Sequence, residues 1–185
     1  SEMCIRDRQG TALNFWIRIG NDGSVTLTIP RVEMGQGVYT SLAQLAAEEL
    51  DVPWGAVRVA HAPVDRAFKN LGVLWDGGSD PLGGMLRHLG SRLSFQITGG
   101  SNSIRDGWTV LRPAGAAARA VLIEEAADRW KVDPEECTTR LGVVIHGATG
   151  HSATYGELAD LAPLRKPPRN LRLADPSTFR LVGTS

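Results

Sequence analysis

A short loop, Glu33-Met34-Gly35-Gln36-Gly37, combines residue types that suit it to cofactor binding. Its two glycines let the backbone approach a ligand, because no Cβ stands in the way. The loop leads into a helical pattern, and the unpaired N–H groups of a first helical turn, together with the helix dipole, favour an anion. Gln36 could then hydrogen-bond to a flat polar ligand. A lone G-x-G is also common in ordinary strand-to-helix connections, so the motif by itself leaves both interpretations open.

A second stretch of small residues runs from Thr98 to Ser103, with the sequence TGGSNS. Its glycines again allow close approach of a ligand to the backbone, and Asn102 or Ser103 could cap the helix that follows. The stretch is not a P-loop, because it lacks the lysine and the G-x4-G-K spacing. Considered alone, such a stretch is more often a plain helix-capping turn.

The segments around these loops alternate between strand-like and helix-like periodicity. Apolar residues recur at every second position before the first loop, with a Gly-containing turn at 21–24, which predicts a hairpin. The pattern changes to helical spacing at Gly37. We predict strands near 13–19, 25–29 and 56–61, packed by helices over 38–50 and 105–130. This order favours an α+β fold with a mixed sheet over a doubly wound nucleotide-binding fold.

Within the first predicted helix, the apolar residues at helical spacing are Leu42, Leu45, Ala46 and Leu50. Glu48 and Glu49 are predicted on the opposite, polar side. In the second helix, Pro113 predicts a kink or break between Trp108 and Ala114. Arg112 is predicted on a solvated helix face, with a phosphate contact as the alternative.

The last third of the chain carries several local signals. Asp133-Pro134 predicts a helix start, residues 143–154 a hairpin, and Thr154 with Glu157 a capping box. None of the histidines at 61, 146 and 151 has metal-ligand spacing, so we predict a structural role for the first and surface positions for the other two. Cys137 is predicted to be a small buried packing residue.

The chain's overall composition excludes some classes of function. The 185 residues suit one domain, and 20 basic residues balance 20 acidic ones, so no net charge points to nucleic acid or a membrane surface. No apolar run reaches the roughly 20 residues of a membrane helix. Cys4 and Cys137 form neither a metal-ligand spacing nor a disulfide framework.

The chain divides into three predicted segments. Residues 1–8, SEMCIRDR, resemble translated sequencing-adapter read-through, so we expect a non-native leader and a missing true N-terminus. Residues 9–162 are predicted to form one domain. The proline-rich residues 163–185 are predicted to be an extended connector to a next domain rather than packed structure. The glycine-rich stretch 70–95 shows no period, and no chemistry is assigned to it.

Three stretches together resemble the molybdopterin-binding large subunit of the xanthine dehydrogenase/aldehyde oxidase family. These are SVTLTI at 24–29, MGQGVYTSLAQLAAEEL at 34–50 and TGGSNSIRDGW at 98–108. The resemblance covers residues 11 to 185 and is greatest to the branch with isoquinoline 1-oxidoreductase and the bacterial molybdenum aldehyde dehydrogenases.

The resemblance implies a molybdopterin cofactor carrying molybdenum, which the family often extends with a nucleotide, as in molybdopterin cytosine dinucleotide. It implies oxidation of an aldehyde or N-heterocycle, with electrons passing to iron–sulfur clusters on a small [2Fe-2S] partner subunit and, in some members, to a cytochrome c. By motif, Met34, Gly35, Gln36 and Gly37 would line the pterin–phosphate side. Gly99, Gly100 and Ser101 would lie close to the metal end.

The family's general base is a glutamate in a glycine-flanked motif near the end of the large subunit. No glutamate of this chain has that setting, and Glu33 is not its equivalent. We therefore assign no catalytic residue and no metal ligand, and expect the chain to be inactive without the remainder of the large subunit. The alternative is a noncatalytic assembly domain that has lost the cofactor.

Overall fold

The computed structural model describes residues 10–63, 68, 96, 98–162 and 165–183, which fold into two sheets and two long packed helices. The elements in chain order are β1 (Thr11–Ala12), β2 (Ile17–Ile19), β3 (Val25–Ile29), α1 (Val38–Leu50), β4 (Val57–His61), α2 (Ser103–Trp130), β5 (Cys137–Arg140), β6 (Val143–His146), β7 (His151–Thr154) and α3 (Tyr155–Leu158). The leader at 1–8 and the stretch 70–95 lie outside the described residues, so the predictions made for them stay predictions.

The first sheet has the order β1-β2-β3-β4 and is mixed. Strands β1, β2 and β3 pair antiparallel, whereas β3 pairs parallel with β4 from Val25↔Val57 to Ile29↔His61. A parallel pair needs a crossover connection, and α1 supplies it. The MGQG loop, residues 34–37, therefore lies between the end of β3 and the start of α1. The predicted mixed α+β fold is confirmed.

The predicted strand at 13–19 is wrong for its first half. The Oδ1 atom of Asn14 accepts hydrogen bonds from the backbone N–H groups of Trp16 and Ile17, at 2.9 and 3.0 Å. An asparagine side chain that bonds the backbone two residues on makes a turn instead of a strand. Only residues 17–19 remain extended, and Phe15, predicted to alternate into the sheet, is 73% exposed.

Helices α1 and α2 pack closely against each other over the buried face of this sheet. The predicted apolar positions of α1, among them Leu42 and Leu50, are buried. Helix α2 continues without a break from residue 103 to 130, so the break predicted as one outcome at Pro113 is wrong, while a kink there stays a prediction. The carbonyl that Pro113 cannot bond belongs to Thr109 on the exposed side of the helix, where water can satisfy it. Neither long helix within the described residues combines the length and apolar character needed to cross a bilayer.

The two glutamates at the end of α1 are buried, although their position predicted a polar face. Glu49 pairs with Arg112 of α2, with 2.6 Å between Oε1 and Nε. Glu48 accepts hydrogen bonds from three successive backbone N–H groups, those of residues 180–182. The predicted solvated position of Arg112 is therefore wrong, because a buried carboxylate requires a charged or polar partner.

The segment at 172–182 lies against α1 and α2, where the sequence predicted an unpacked connector. Apart from one 3-10 turn, Pro176–Thr178, this segment forms no helix or strand. The backbone N–H of Ala174 donates to Glu49 Oε2 at 2.8 Å, and Phe179 packs beside Arg112. Backbone hydrogen bonds to the buried carboxylates of α1 therefore hold this segment in place.

The second sheet has the order β5-β6-β7 and contains the predicted hairpin. The capping box of Thr154 and Glu157 is present at the start of α3, and Cys137 is buried, both as predicted. His146 is 3% exposed rather than on the surface. Its Nδ1 lies 2.7 Å from Thr149 Oγ1, and Glu136 lies beside its Nε2. Strand β6 carries this ring inward because Val144, at the same phase of the strand, also faces the core.

Candidate cofactor-binding site

The two glycine-containing loops line one cavity of about 480 Å³. They lie more than 60 residues apart in sequence, and the packing of α1 against α2 brings their helix starts together. The lining residues are Met34, Gln36, Val38, Ser41, Thr98, Gly99, Gly100, Ser101, Ser103 and Ile104. Five of the seven predicted site residues are among them. Gly35 and Gly37 belong to the loop but do not line the cavity.

Two contacts join the walls of this cavity. The Thr98 side-chain oxygen accepts a hydrogen bond from the backbone N–H of Val32, at 2.7 Å. The guanidinium of Arg31, which is 2% exposed, forms an ion pair with Asp106 in the first turn of α2. Burial lowers the pKa of Arg31, and the charge of Asp106 opposes that shift. The separation of the two loops is therefore fixed by a largely buried charge pair.

The amide groups of the MGQG loop already have an anionic partner within the chain. The carboxylate of Glu33 accepts hydrogen bonds from the backbone N–H groups of Gly35, Gly37 and Tyr39, at 2.8, 3.0 and 3.0 Å. These bonds, those from Tyr39 and Gly37 foremost, lower the pKa of Glu33 below its ordinary 4.5. The prediction that amides at the start of α1 are unpaired and open to an external anion is therefore wrong for these three groups.

The side chain of Gln36 bonds to its own loop while it lines the cavity. Its Oε1 accepts from the backbone N–H of Met34 at 2.5 Å, and its Nε2 donates to the carbonyl of Val32 at 2.9 Å. Each end of the amide keeps capacity for one further hydrogen bond. Gln36 therefore braces the loop and also presents polar atoms to the cavity.

The glycines of the two loops occur for different structural reasons. Gly35 and Gly37 have φ values of 89° and 77°, a region in which other residues are strained, so the loop's own path accounts for both. Gly99 does not have a left-handed φ, and a Cβ built on it would meet no described protein atom within 4 Å. The described residues give no reason for glycine at 99, just as they give none at Gly55 or Gly147. Unlike those two, Gly99 lines the cavity, where the missing Cβ leaves room for close approach of a ligand. On this observation, the cavity fits a large cofactor.

The start of α2 forms the other wall and differs from the start of α1. Ser103 and Ile104 of its first turn line the cavity. Within the described part of the chain, the side chain of Asn102 at the N-cap makes no capping hydrogen bond. The predicted capping role of Asn102 is therefore not realised. First-turn amides and the helix dipole favour an anionic group, and here they lie beside an open cavity.

The histidine predicted to be structural lies near the loop. His61 Nδ1 is 2.8 Å from the hydroxyl of Tyr39, a residue whose backbone N–H binds Glu33. In the described ranges, no group of three His, Cys, Asp or Glu side chains is arranged to hold a metal ion. The prediction made no assignment of a protein metal ligand.

Sequence reasoning missed Glu33 and Arg31, which shape the loop without belonging to a glycine motif. Arg31 pairs with a residue 75 positions away, so no local pattern could have identified it. Glu33 left a signal, because an acid just before a helix start commonly caps it. Its position two residues before the first glycine concealed that role.

Comparisons with known proteins agree with this architecture. Residues 3–73 match the family model described as molybdopterin cofactor-binding domain. The beta subunit of isoquinoline 1-oxidoreductase from Brevundimonas diminuta is 41% identical over 78% of this chain and 16% of its own length. A nicotinate dehydrogenase subunit from Pseudomonas putida is 30% identical over 94% of this chain and 12% of its own. The chain thus spans less than a fifth of the curated relatives it matches.

Among solved structures, quinoline 2-oxidoreductase from Pseudomonas putida 86 superposes with a TM-score of 0.53 at 19% identity. The match covers 89% of this chain and 17% of that one, and it shows a shared fold. Together, these findings confirm the resemblance seen in the motifs. This chain belongs to the xanthine dehydrogenase/aldehyde oxidase family of molybdopterin-binding subunits.

Proposed function

We propose that this chain forms part of the cofactor cradle in a molybdenum-containing oxidoreductase that oxidises an aldehyde or an N-heterocycle, with water as the oxygen source. The observation that carries the proposal is the single cavity lined by both glycine motifs, with an unexplained glycine at 99. A domain that had lost its cofactor would need neither the cavity nor that glycine, which argues against a purely noncatalytic assembly role.

The two walls would hold different parts of the cofactor. Met34 and Gln36, together with the loop glycines Gly35 and Gly37, form the pterin–phosphate side, where Gln36 offers its remaining hydrogen-bonding capacity. Gly99, Gly100 and Ser101 form the side near the metal, where the absent Cβ of Gly99 leaves room for the ligand. The cofactor would supply the redox chemistry, while these residues bind it, orient it and limit the access of water.

The start of α2 is the wall better suited to negative charge. Ser103 and Ile104 of its first turn line the cavity, whereas Glu33 occupies the amides of Gly35, Gly37 and Tyr39 around the start of α1. The extended form of the cofactor, such as molybdopterin cytosine dinucleotide, carries additional phosphate. We therefore expect the additional phosphate of the nucleotide to lie nearer Ser103 than Tyr39, while the pterin and its own phosphate lie along the MGQG loop.

The activity requires groups that these residues do not provide. We place the general-base glutamate in another part of the large subunit, because no glutamate lines the cavity within the described residues. Electrons would pass to iron–sulfur clusters on a small [2Fe-2S] subunit and, in some assemblies, to a cytochrome c. The names of the two relatives, each of which is called a subunit, support a multi-subunit enzyme.

The test is the molybdenum content of the folded protein, isolated with its native cofactor, for the wild type and two loop variants. Gln36→Ala removes a polar contact to a charged ligand, worth about 1.5–3 kcal/mol, and we expect roughly tenfold or greater loss of cofactor affinity. Gly35→Val is expected to lose more, because a β-branched residue resists a positive φ and displaces the loop.

The matched control is Gln44→Ala, which removes the same side chain from α1 at a position outside the cavity. It should keep wild-type molybdenum content. Equal metal loading in the wild type, Gln36→Ala and Gly35→Val, with all three folded, would contradict the cofactor assignment.

A further inference from the structure

We infer that Glu33 is a positioning residue: its carboxylate acts as an internal anion that holds the MGQG loop in the shape that binds the cofactor. The inference rests on the proposed function for what the loop binds. The hydrogen bonds themselves belong to the chain alone and can be tested without any cofactor. The glycine motif begins after Glu33, so the family resemblance assigns no role to this residue.

The carboxylate gathers amides from both sides of the glycine pair. Oε1 accepts from Gly35 and Gly37, and Oε2 accepts from Tyr39 in the first turn of α1. One side chain therefore fixes the loop relative to the helix that follows it. Charge-assisted hydrogen bonds of this kind are roughly twice as strong as neutral ones, so the loop is ordered before any ligand arrives.

The lining of the cavity indicates that Glu33 lies on the other side of the loop. The cavity is lined by Met34, Gln36 and Val38, whereas Glu33 and its three amide donors are absent from the described lining. Alternate residues of the loop thus face opposite ways. A ligand in the cavity would meet Gln36 and would not compete with the carboxylate for the amides. Glu33 therefore braces the loop and does not gate the cavity.

A braced loop lowers the cost of binding. Residues that must be ordered by a ligand subtract their conformational entropy from the affinity, and a preorganised loop avoids that loss. Gln36 also braces the loop, because both ends of its side-chain amide hydrogen-bond to loop backbone. The loop is therefore held from both faces. Of these two braces, only Glu33 carries a charge, so only its contribution depends on pH.

The first experiment is an NMR titration of this 185-residue chain, without cofactor. The lowered pKa of Glu33 means that its stabilisation is complete above its ordinary 4.5 and is lost as the pH falls through the lower, folded value. The backbone amide signals of Gly35, Gly37 and Tyr39 should therefore move together, with a common midpoint below 4.5. Glu33→Gln should abolish this common titration, and Glu135→Gln, at an exposed glutamate beyond the end of α2, should preserve it.

The second experiment measures molybdenum per folded protein in the intact enzyme. Glu33→Ala should lower cofactor affinity by about tenfold or more, since it removes three charge-assisted bonds. Glu33→Gln keeps one acceptor oxygen, so it should fall between Glu33→Ala and the wild type. That graded order distinguishes a positioning role from a general loss of stability, which is checked by the amide spectrum of each variant.

Two results would overturn the inference. The carboxylate does not hold the loop if the amide signals of its three donors titrate independently of one another. The same conclusion follows if their common titration is unchanged in Glu33→Gln. Higher molybdenum content, or tighter binding of inorganic phosphate, in Glu33→Ala would show a gate instead of a brace. If the wild type itself carries no molybdenum, the proposed function fails, while the NMR titration still decides the role of Glu33 in the loop.

Discussion

Two regions of the α1–α2 pair differ in how much room surrounds a glycine. One is the crossing, where the helices pack on each other at Gly115, and the other is the open end, where Gly99 lines the cavity beside the helix starts. At the crossing, a Cβ on Gly115 would lie 2.8 Å from the carbonyl oxygen of Ala46 and 2.8 Å from Glu49 Cβ, so only glycine lets the helices approach. At the open end, a Cβ on Gly99 would meet no described protein atom. Glycine at the crossing therefore serves the fold, whereas we propose that glycine at the cavity serves the ligand. Substitutions at both places test that difference.

The largest effect is expected at the buried charge pair of the crossing. Glu49→Ala leaves Arg112 buried without its partner, and breaking such a pair costs about 3–5 kcal/mol of the free energy of unfolding. Urea denaturation of both proteins measures the loss. The double variant Glu49→Leu with Arg112→Met should recover most of it, because neither charge is then buried. A Glu49→Ala variant as stable as the wild type would contradict the buried pairing.

The next effect is expected at the crowded glycine. Gly115→Val forces the helices apart and should lower the free energy of unfolding by about 3 kcal/mol, the upper part of the range for overpacked cores. Gly147→Val is the control, since its Cβ would meet no protein atom in the described structure. It should change stability by less than about 0.5 kcal/mol. Equal losses for the two variants would remove the distinction between crowded and open glycines.

The smallest effect on stability, and a large one on binding, is expected at Gly99. Gly99→Ala should leave the urea midpoint unchanged, within about 0.5 kcal/mol, because the new methyl group enters open space. It should reduce molybdenum content in the intact enzyme, because the methyl group occupies the room left for the cofactor. Gly55→Ala, at another open position, should change neither property. Normal molybdenum content in Gly99→Ala would contradict the proposal that this wall contacts the cofactor.

The sequence predicted those parts of the fold that depend on local patterns. Strand β3, helix α1 and the capping box at Thr154 lie where periodicity and cap residues placed them. The convergence of the two loops was predicted only through the family resemblance. No spacing within either loop could reveal it, because the packing of two helices brings them together.

The parts that sequence reasoning missed depend on distant partners. Glu49 and Arg112 are 63 residues apart, and each alone is typical of a solvated helix face. The turn at Asn14 was also missed, although its partners are close in sequence. There, side-chain hydrogen bonds to the backbone produce a turn where the alternating apolar pattern predicted a strand. The role of Glu33 was missed for a different reason, since an acid just before a helix start is a signal for a cap, but the predicted site for an external anion beside it concealed that signal.

The packing of residues 180–182 on Glu48 also has a consequence for the order of events during synthesis of the chain. The three donors, at residues 180–182, follow Glu48 by 132 to 134 residues. At ribosomal rates of about 5–20 residues per second, they emerge on the order of ten seconds after the helix that needs them. Throughout that interval, the end of α1 displays carboxylates to water on a face that the finished protein buries. Closure of that face therefore waits for the synthesis of residues 180–182, and a nascent chain held before it would be a target for chaperones.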